Sequence, residues 1–321
     1  MAEDVSRTEL RVTRFLSLLP YWLVVGLARS LAWLASFLPL SLVSAHRDVV
    51  INLLACFPDK DYREVRRLSR RVLVETAHTL SSYSHVWLRP VAQTFRRVSK
   101  VHGREQVSEA LASERPVLFL SLHQSCWEVP VLELGRIGRA VIMYQPAEGN
   151  AIDPVVKHAR ERTGCDLVPT NGRGVKTALG TLDAGGAFGL LADHQPGGKQ
   201  NPCAPFFGYE VQVPAFVHKV VARYQPAIFY VSALRVPGSG IELFFEAAPK
   251  AMLNMDERSL LTEMMAGLER IIRRAPEQYN WSYARFRRGP NGKRRWYKKA
   301  DALGLIERRK AGEPADRVFT D

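Results

Sequence analysis

The sequence predicts an α/β protein: a mixed, mostly parallel sheet flanked by helices, preceded by an apolar N-terminal helical segment that attaches it to a membrane. Three observations predict this. Short apolar runs recur between residues 116 and 247, and helical patterns separate them, as expected when strands alternate with crossover helices. Residues 15–43 carry a single charge, Arg29, among fifteen Leu, Val and Phe. The chain is 46 % hydrophobic and 24 % charged, the balance of a globular protein with a sizeable core.

The apolar segment comes first. It reads FLSLLPYWLVVGLARSLAWLASFLPLSLV, with Pro20 and Pro39 inside it. It is too long for a secretory signal peptide and lacks a clean cleavage site. A buried arginine at mid-span costs about 2.5–3.5 kcal/mol, and each Leu, Val or Phe returns about 0.3–0.6 kcal/mol. The balance is mildly favourable, so a segment lying in the interface and a weak span are both open, as is a buried helical hairpin.

Residues 44–100 read as helical. From Asp61 to Trp87, Val65, Leu68, Val72, Leu73, Thr76, Leu80 and Tyr83 recur at three-and-four spacing. Arg63, Arg66, Arg67, Arg70 and Arg71 occupy the remaining faces, toward solvent or anionic lipid. Strands are expected at 116–122, 140–146, 165–169, 187–193, 227–234 and 241–247. Helices are expected at 125–137, 152–163 with Gly164 as C-cap, 175–183, around 217–224, and 256–274. No internal repeat or low-complexity tract appears. The domain boundaries follow as an anchoring segment 1–45, a central domain 46–300 and a polar tail 301–321.

Charge and cysteine content narrow the setting. The net charge is +13, and residues 271–310 alone hold thirteen Lys/Arg against three Asp/Glu. Trp281, Tyr283, Phe286, Trp296 and Tyr297 interleave with those cations, a pattern that suits a membrane interface or single-stranded nucleic acid. The apolar N-terminal segment favours the membrane, with no nucleic acid partner expected. Cys56, Cys126, Cys165 and Cys203 are scattered, with no CxxC pair. A reducing compartment is expected, with no disulfide framework, no metal and no cofactor.

One stretch carries chemistry. The run 116–122 is followed directly by His123, and Glu128 follows five positions after that histidine. A residue at the carboxyl end of a parallel strand faces the crevice where α/β proteins bind ligands. A carboxylate on one imidazole nitrogen fixes the tautomer and leaves the other nitrogen free to take a proton. No GxSxG nucleophile is present, so the nucleophile is expected to be a substrate hydroxyl. By spacing alone, a core histidine or a helix-start carboxylate is the commoner explanation of such a pair. His158, His194 and Cys126 lack metal-ligand spacing.

The chain resembles the lipid A biosynthesis late acyltransferases, within the wider lysophospholipid-acyltransferase-like superfamily. The resemblance runs in order from about residue 15 to about 300. It rests on His123-Gln124-Ser125-Cys126-Trp127-Glu128, on Tyr144-Gln145-Pro146 with Ala159-Arg160-Glu161-Arg162, and on Asp193-His194-Gln195-Pro196-Gly197. Pro205-Phe206-Phe207-Gly208, Ala275 to Trp281 with Arg285-Phe286-Arg287, and Asn52-Leu53 with Cys56-Phe57-Pro58 complete it. Many relatives have Gly-Asn where this chain has Ser125-Cys126.

The resemblance implies an acyltransferase in which His123 deprotonates an acceptor hydroxyl and Glu128 orients His123. The acyl donor would be an acyl-carrier-protein thioester and the acceptor a phosphorylated glycolipid, a lipid A precursor. Arg162 would hold a phosphate or the oxyanion, and Arg160, two residues away, would point elsewhere. Asp193 would position the site or an arginine, and Tyr144 would line the substrate side. The location implied is the cytoplasmic face of a bacterial inner membrane. A lysophospholipid acceptor, and a non-catalytic basic membrane- or nucleic-acid-binding protein, are the competing readings.

Overall fold

The computed structural model describes residues 2–320 except 114, 139, 147–148, 198–200, 291 and 294–295. Two of the cations counted in the basic stretch 271–310, Arg294 and Arg295, therefore lie outside the described residues. The chain forms two compact units. The first comprises Met1–Val25, Thr79–Ala192 and Phe216–Met255; the second comprises Gly26–His78, Asp193–Ala215 and Asp256–Asp321.

Before the sheet come α1 (Ala2–Leu18), α2 (Tyr21–Ala35), α3 (Ser44–Cys56) and α4 (Tyr62–Leu88). Pro20 separates the first two, because its ring cannot continue a helix interior. Among the described residues, no helix is long and apolar enough to cross a membrane. The segment is not a buried hairpin either: Phe15, Leu18, Trp22, Leu31 and Leu42 are each at least 60 % exposed. α4 begins with a capping box in which Asp61 and Glu64 each accept the other's backbone N–H. Val65, Leu68, Val72 and Tyr83 are buried along it, whereas Leu80, expected on the same face, is exposed.

The first unit is built on a seven-stranded sheet. Its strands are β1 (Val98–His102), β2 (Val117–Ser121), β3 (Ala140–Tyr144), β4 (Asp166–Pro169), β5 (Ala187–Leu191), β8 (Ala227–Val236) and β9 (Gly240–Ala247). The order is β1-β9-β8-β2-β5-β3-β4, parallel throughout except for the antiparallel β8–β9 hairpin. The expected mixed, mostly parallel sheet is therefore observed. β1 corrects the expectation of helix through residue 100. It is an edge strand reading VSKVH, half-buried or exposed at every position, so it lacks the apolar run that marks the inner strands. Besides α1, this unit holds α5 (Val91–Phe95), α6 (Arg104–Ala112), α7 (Glu128–Ile137), α8 (Asp153–Glu161) and α9 (Gly172–Asp183) before β5. α10 (Phe216–Tyr224) precedes β8. Gly103 starts α6 at φ +74°, and a Cβ there would lie 2.0 Å from the Phe245 carbonyl oxygen, so only glycine fits the β1–α6 turn.

The second unit holds the β6 (Cys203–Phe206) and β7 (Tyr209–Gln212) hairpin with α11 (Glu257–Arg274), α12 (Lys299–Lys310) and α13 (Ala315–Val318). Phe207 and Gly208 are both left-handed, at φ 49° and 83°, as a two-residue type I′ turn requires. The Pro-Phe-Phe-Gly element is thus a hairpin tip. Phe207 stacks edgewise on Trp281, and its backbone N–H donates to Glu269. Residues after 300 are helical, and Trp296 packs against Phe319.

Candidate active site

β2 is buried at Val117–Leu120 and lies between β5 and β8, its two parallel neighbours. Its last residue, Ser121, ties both: the Ser121 hydroxyl donates to the Val231 carbonyl at 2.9 Å, and the Ala192 N–H donates to the Ser121 carbonyl at 2.8 Å. The chain then leaves the sheet in a tight turn, with the Gln124 N–H on the Leu122 carbonyl. His123 stands on that turn, half-buried, at the carboxyl edge of a central parallel strand.

Three irregular residues separate His123 and Gln124 from α7, whose first residue is Glu128 rather than Ser125. Ser125 explains the delay. It is fully buried and left-handed at φ 52°, a conformation no helix contains. A glycine would adopt it freely, whereas an L-residue pays about 1–2 kcal/mol. The Ser125 hydroxyl is buried and has no hydrogen-bond partner among the described residues.

Glu128 is 2 % exposed. Arg160, from the last turn of α8, grips it with two parallel bonds: Nε to one carboxylate oxygen at 2.8 Å and Nη2 to the other at 2.5 Å. Burial alone would lower the arginine's pKa. The Glu128 charge and hydrogen bonds outweigh it and drive that pKa upward, so the pair is ionic. Each carboxylate oxygen keeps a second acceptor direction.

Aromatic rings continue from the histidine. The Trp127 ring meets His123 edge-on at 5.2 Å and Tyr83 edge-on at 5.4 Å, and Tyr83 stacks on Trp87 at 4.6 Å. Arg235, near the end of β8, donates to the Cys126 sulfur at 3.2 Å and to the Thr79 hydroxyl at 2.8 Å. None of these partners is legible in sequence, because 79, 83 and 235 lie far from 123–128 along the chain and carry no motif of their own.

The remaining expected residues divide. Tyr144 ends β3, half-buried, and burial, followed by the Asp153 charge, raises its phenol pKa, with Arg160 pulling the other way. The Arg162 guanidinium is spent on the end of α4. It donates to the carbonyls of Val86, Trp87 and Arg89, groups that a helix C-terminus leaves without intrahelical partners. Two arginines that are alike in sequence therefore differ in place: Arg160 is on the carboxylate and Arg162 is a helix cap.

Asp193 belongs to the second unit, where it is 2 % exposed. The Tyr279 phenol hydrogen-bonds to it, and burial, then the Asp193 charge, pushes that phenol well above its ordinary pKa. Nearby in the same unit the Asn52 amide donates to the carbonyls of Trp281 and Tyr283, and the Tyr297 hydroxyl donates to the Asn52 side-chain oxygen at 2.6 Å. The Gln195 N–H donates to the Tyr283 hydroxyl. Separate sequence motifs at 52, 193–197, 279–283 and 297 are thus stitched together by hydrogen bonds within one unit.

Comparison with known proteins agrees with this architecture. The family model for bacterial lipid A biosynthesis acyltransferases matches residues 9–288. The lipid A biosynthesis lauroyltransferase of Escherichia coli is 24 % identical over 278 residues, 85 % of this chain and 88 % of the relative. The palmitoleoyltransferase of the same organism is 25 % identical, covering 77 % of this chain and 80 % of its own. The corresponding myristoyltransferase is 23 % identical, with 80 % of each covered.

Proposed function

The chain belongs to the bacterial lipid A biosynthesis acyltransferases, and from that premise we propose that it moves a fatty acyl chain from an acyl-carrier-protein thioester to a hydroxyl of a lipid A precursor. The observation that carries the mechanism is the buried Glu128–Arg160 pair placed directly after the turn that holds His123. In this reading Arg160 holds the Glu128 carboxylate in place with its two hydrogen bonds. Glu128 accepts the Nδ1–H of His123, which fixes the tautomer and leaves Nε2 as the base. His123 takes the acceptor's proton, and the alkoxide attacks the thioester carbonyl. The tetrahedral intermediate then expels thiolate, which recovers the proton from His123.

Tyr144 lines the approach to the same pair. Arg162 acts by fixing the end of α4 rather than by touching phosphate, and Asp193 orders the second unit around Tyr279. The end of α1 and the apolar helix α2, with its exposed Trp22 and Trp33, lie in the membrane interface on the cytoplasmic side. The basic stretch 271–310 faces acidic carrier protein or the anionic leaflet.

Purified protein, acyl-carrier-protein thioesters and the lipid A precursor test the proposal, with mass spectrometry of the glycolipid as readout. The expected product is heavier by one acyl chain. His123→Ala should slow turnover by about 10²–10⁴-fold. Unchanged turnover in a folded His123→Ala protein would remove the histidine from the mechanism. Acylation of lysophospholipid instead of the precursor would change the acceptor.

A further inference from the structure

Two buried donors on one face of α4 have no acceptor among the described residues: the Tyr83 hydroxyl and the Trp87 Nε1–H. A buried donor left without a partner costs about 1–3 kcal/mol, so each such group calls for an explanation. Packing does not supply one. Phenylalanine at 83 would keep the stack on Trp87 and the edge contact with Trp127, and would remove the cost.

The phenol stands beside the chemistry. Its ring touches Trp127, and Trp127 touches His123. The ionisable groups that act on it are Glu128, Cys126, Arg160 and Arg235. Burial first, and Glu128 next, push its pKa well above the ordinary value, so the O–H stays a donor at any working pH. Trp87 lies one helical turn further on, with its ring plane tilted 24° from that of Tyr83.

We propose that the Tyr83 O–H and the Trp87 Nε1–H are the donors that stabilise the oxyanion of the tetrahedral intermediate. This rests on the acyl-transfer reading above. As the acceptor oxygen bonds to the thioester carbon, the carbonyl π pair moves onto the carbonyl oxygen. Tyr83 and Trp87 donate hydrogen bonds to that oxygen and keep their protons. When the C–S bond breaks, the pair returns to re-form the carbonyl, and the sulfur leaves with the proton held by His123. The donors carry no charge and move no proton, so their effect falls on the height of the barrier alone.

The test uses the full-length protein with acyl-carrier-protein thioester and lipid A precursor. The wild type is assayed first, since its failure to acylate the precursor would sink the underlying reading independently of Tyr83. Tyr83→Phe is expected to lower kcat by about 10²–10³-fold with KM little changed. Its melting temperature should be equal or higher, because a partnerless hydroxyl has gone, and its pH–rate profile should keep its shape. Trp87→Phe, a second and independent variant, is expected to lower kcat in the same way. A Tyr83→Phe enzyme with wild-type kcat would overturn the proposal. So would a kcat loss accompanied by a lower melting temperature, which marks a structural hydroxyl, or by a shifted pH profile, which marks an effect on the His123–Glu128 pair.

Discussion

Arg160→Met isolates what the buried ion pair does. Glu128 is 2 % exposed, and its partner's side chain is 19 % exposed. Removing the guanidinium leaves a carboxylate with little water to solvate it. The carboxyl has one escape, which is to take up a proton. Protonating a group of ordinary pKa about 4.3 at pH 7 costs roughly 1.4 kcal/mol for each pH unit, about 3.7 kcal/mol in all. That sets a ceiling close to the 3–5 kcal/mol seen when one partner of a buried pair is removed. For a chain of 321 residues, with an unfolding entropy of about 0.7 kcal/mol/K, the melting temperature should fall by roughly 5–6 °C at pH 7.

The pH dependence has a defined sign. In the variant, Glu128 has a folded pKa raised above its unfolded value. The penalty is therefore absent below about pH 4.3, where the unfolded chain is protonated too, and grows as pH rises. Melting curves from pH 4.5 to 7.5 should show the gap to wild type opening with pH. A paired change, Glu128→Leu with Arg160→Met, should restore most of the stability, because an apolar pair needs no compensation. Acyl transfer should stay lost in both variants, since a neutral or absent carboxyl cannot orient the imidazole. An Arg160→Met protein with wild-type stability and turnover would refute this reasoning, as would a double variant no more stable than the single one.

Three further outcomes are expected. Ser125→Gly should raise stability by about 1 kcal/mol, because φ 52° and a partnerless buried hydroxyl both favour glycine there; a lower melting temperature would contradict it. His46 is fully buried against Ser69 and Arg66, and burial, then the Arg66 and Arg70 charges, hold its pKa at about 4. Its folded pKa is depressed, so its share of stability is present above pH 6.5 and lost as pH falls toward 4. Wild type should shed roughly 2–3 kcal/mol across that window that His46→Gln does not, as urea titrations at each pH would show. Trp22→Glu combined with Trp33→Glu, at positions 73 % and 53 % exposed, should release protein from anionic vesicles with the helical circular dichroism unchanged; full co-sedimentation would count against interfacial attachment through these helices.

The inner strands were legible because strands buried on both faces are written as continuous apolar runs. β1 was not, since an edge strand with Ser99 and Lys100 toward water carries no such run. The β6–β7 hairpin also escaped, because its strands are four residues long and Pro205 interrupts one of them. At the site, the spacing of His123 and Glu128 could be read locally. The choice between Arg160 and Arg162 could not, because it depends on where the end of α8 lies relative to α4 and α7. Ser125 shows the same limit. Its left-handed backbone starts α7 three residues later than the apolar pattern suggests, and nothing in a serine's identity announces that.

The two arginines at 160 and 162 make the final turn of α8 a double-ended clasp, one end closed on the carboxylate at the start of α7 and the other on the last carbonyls of α4. Register on that turn is consequently shared. A single residue inserted or deleted between them would unfasten one end or the other, so the distance between the Glu128 carboxylate and the end of α4 is written into a spacing of two.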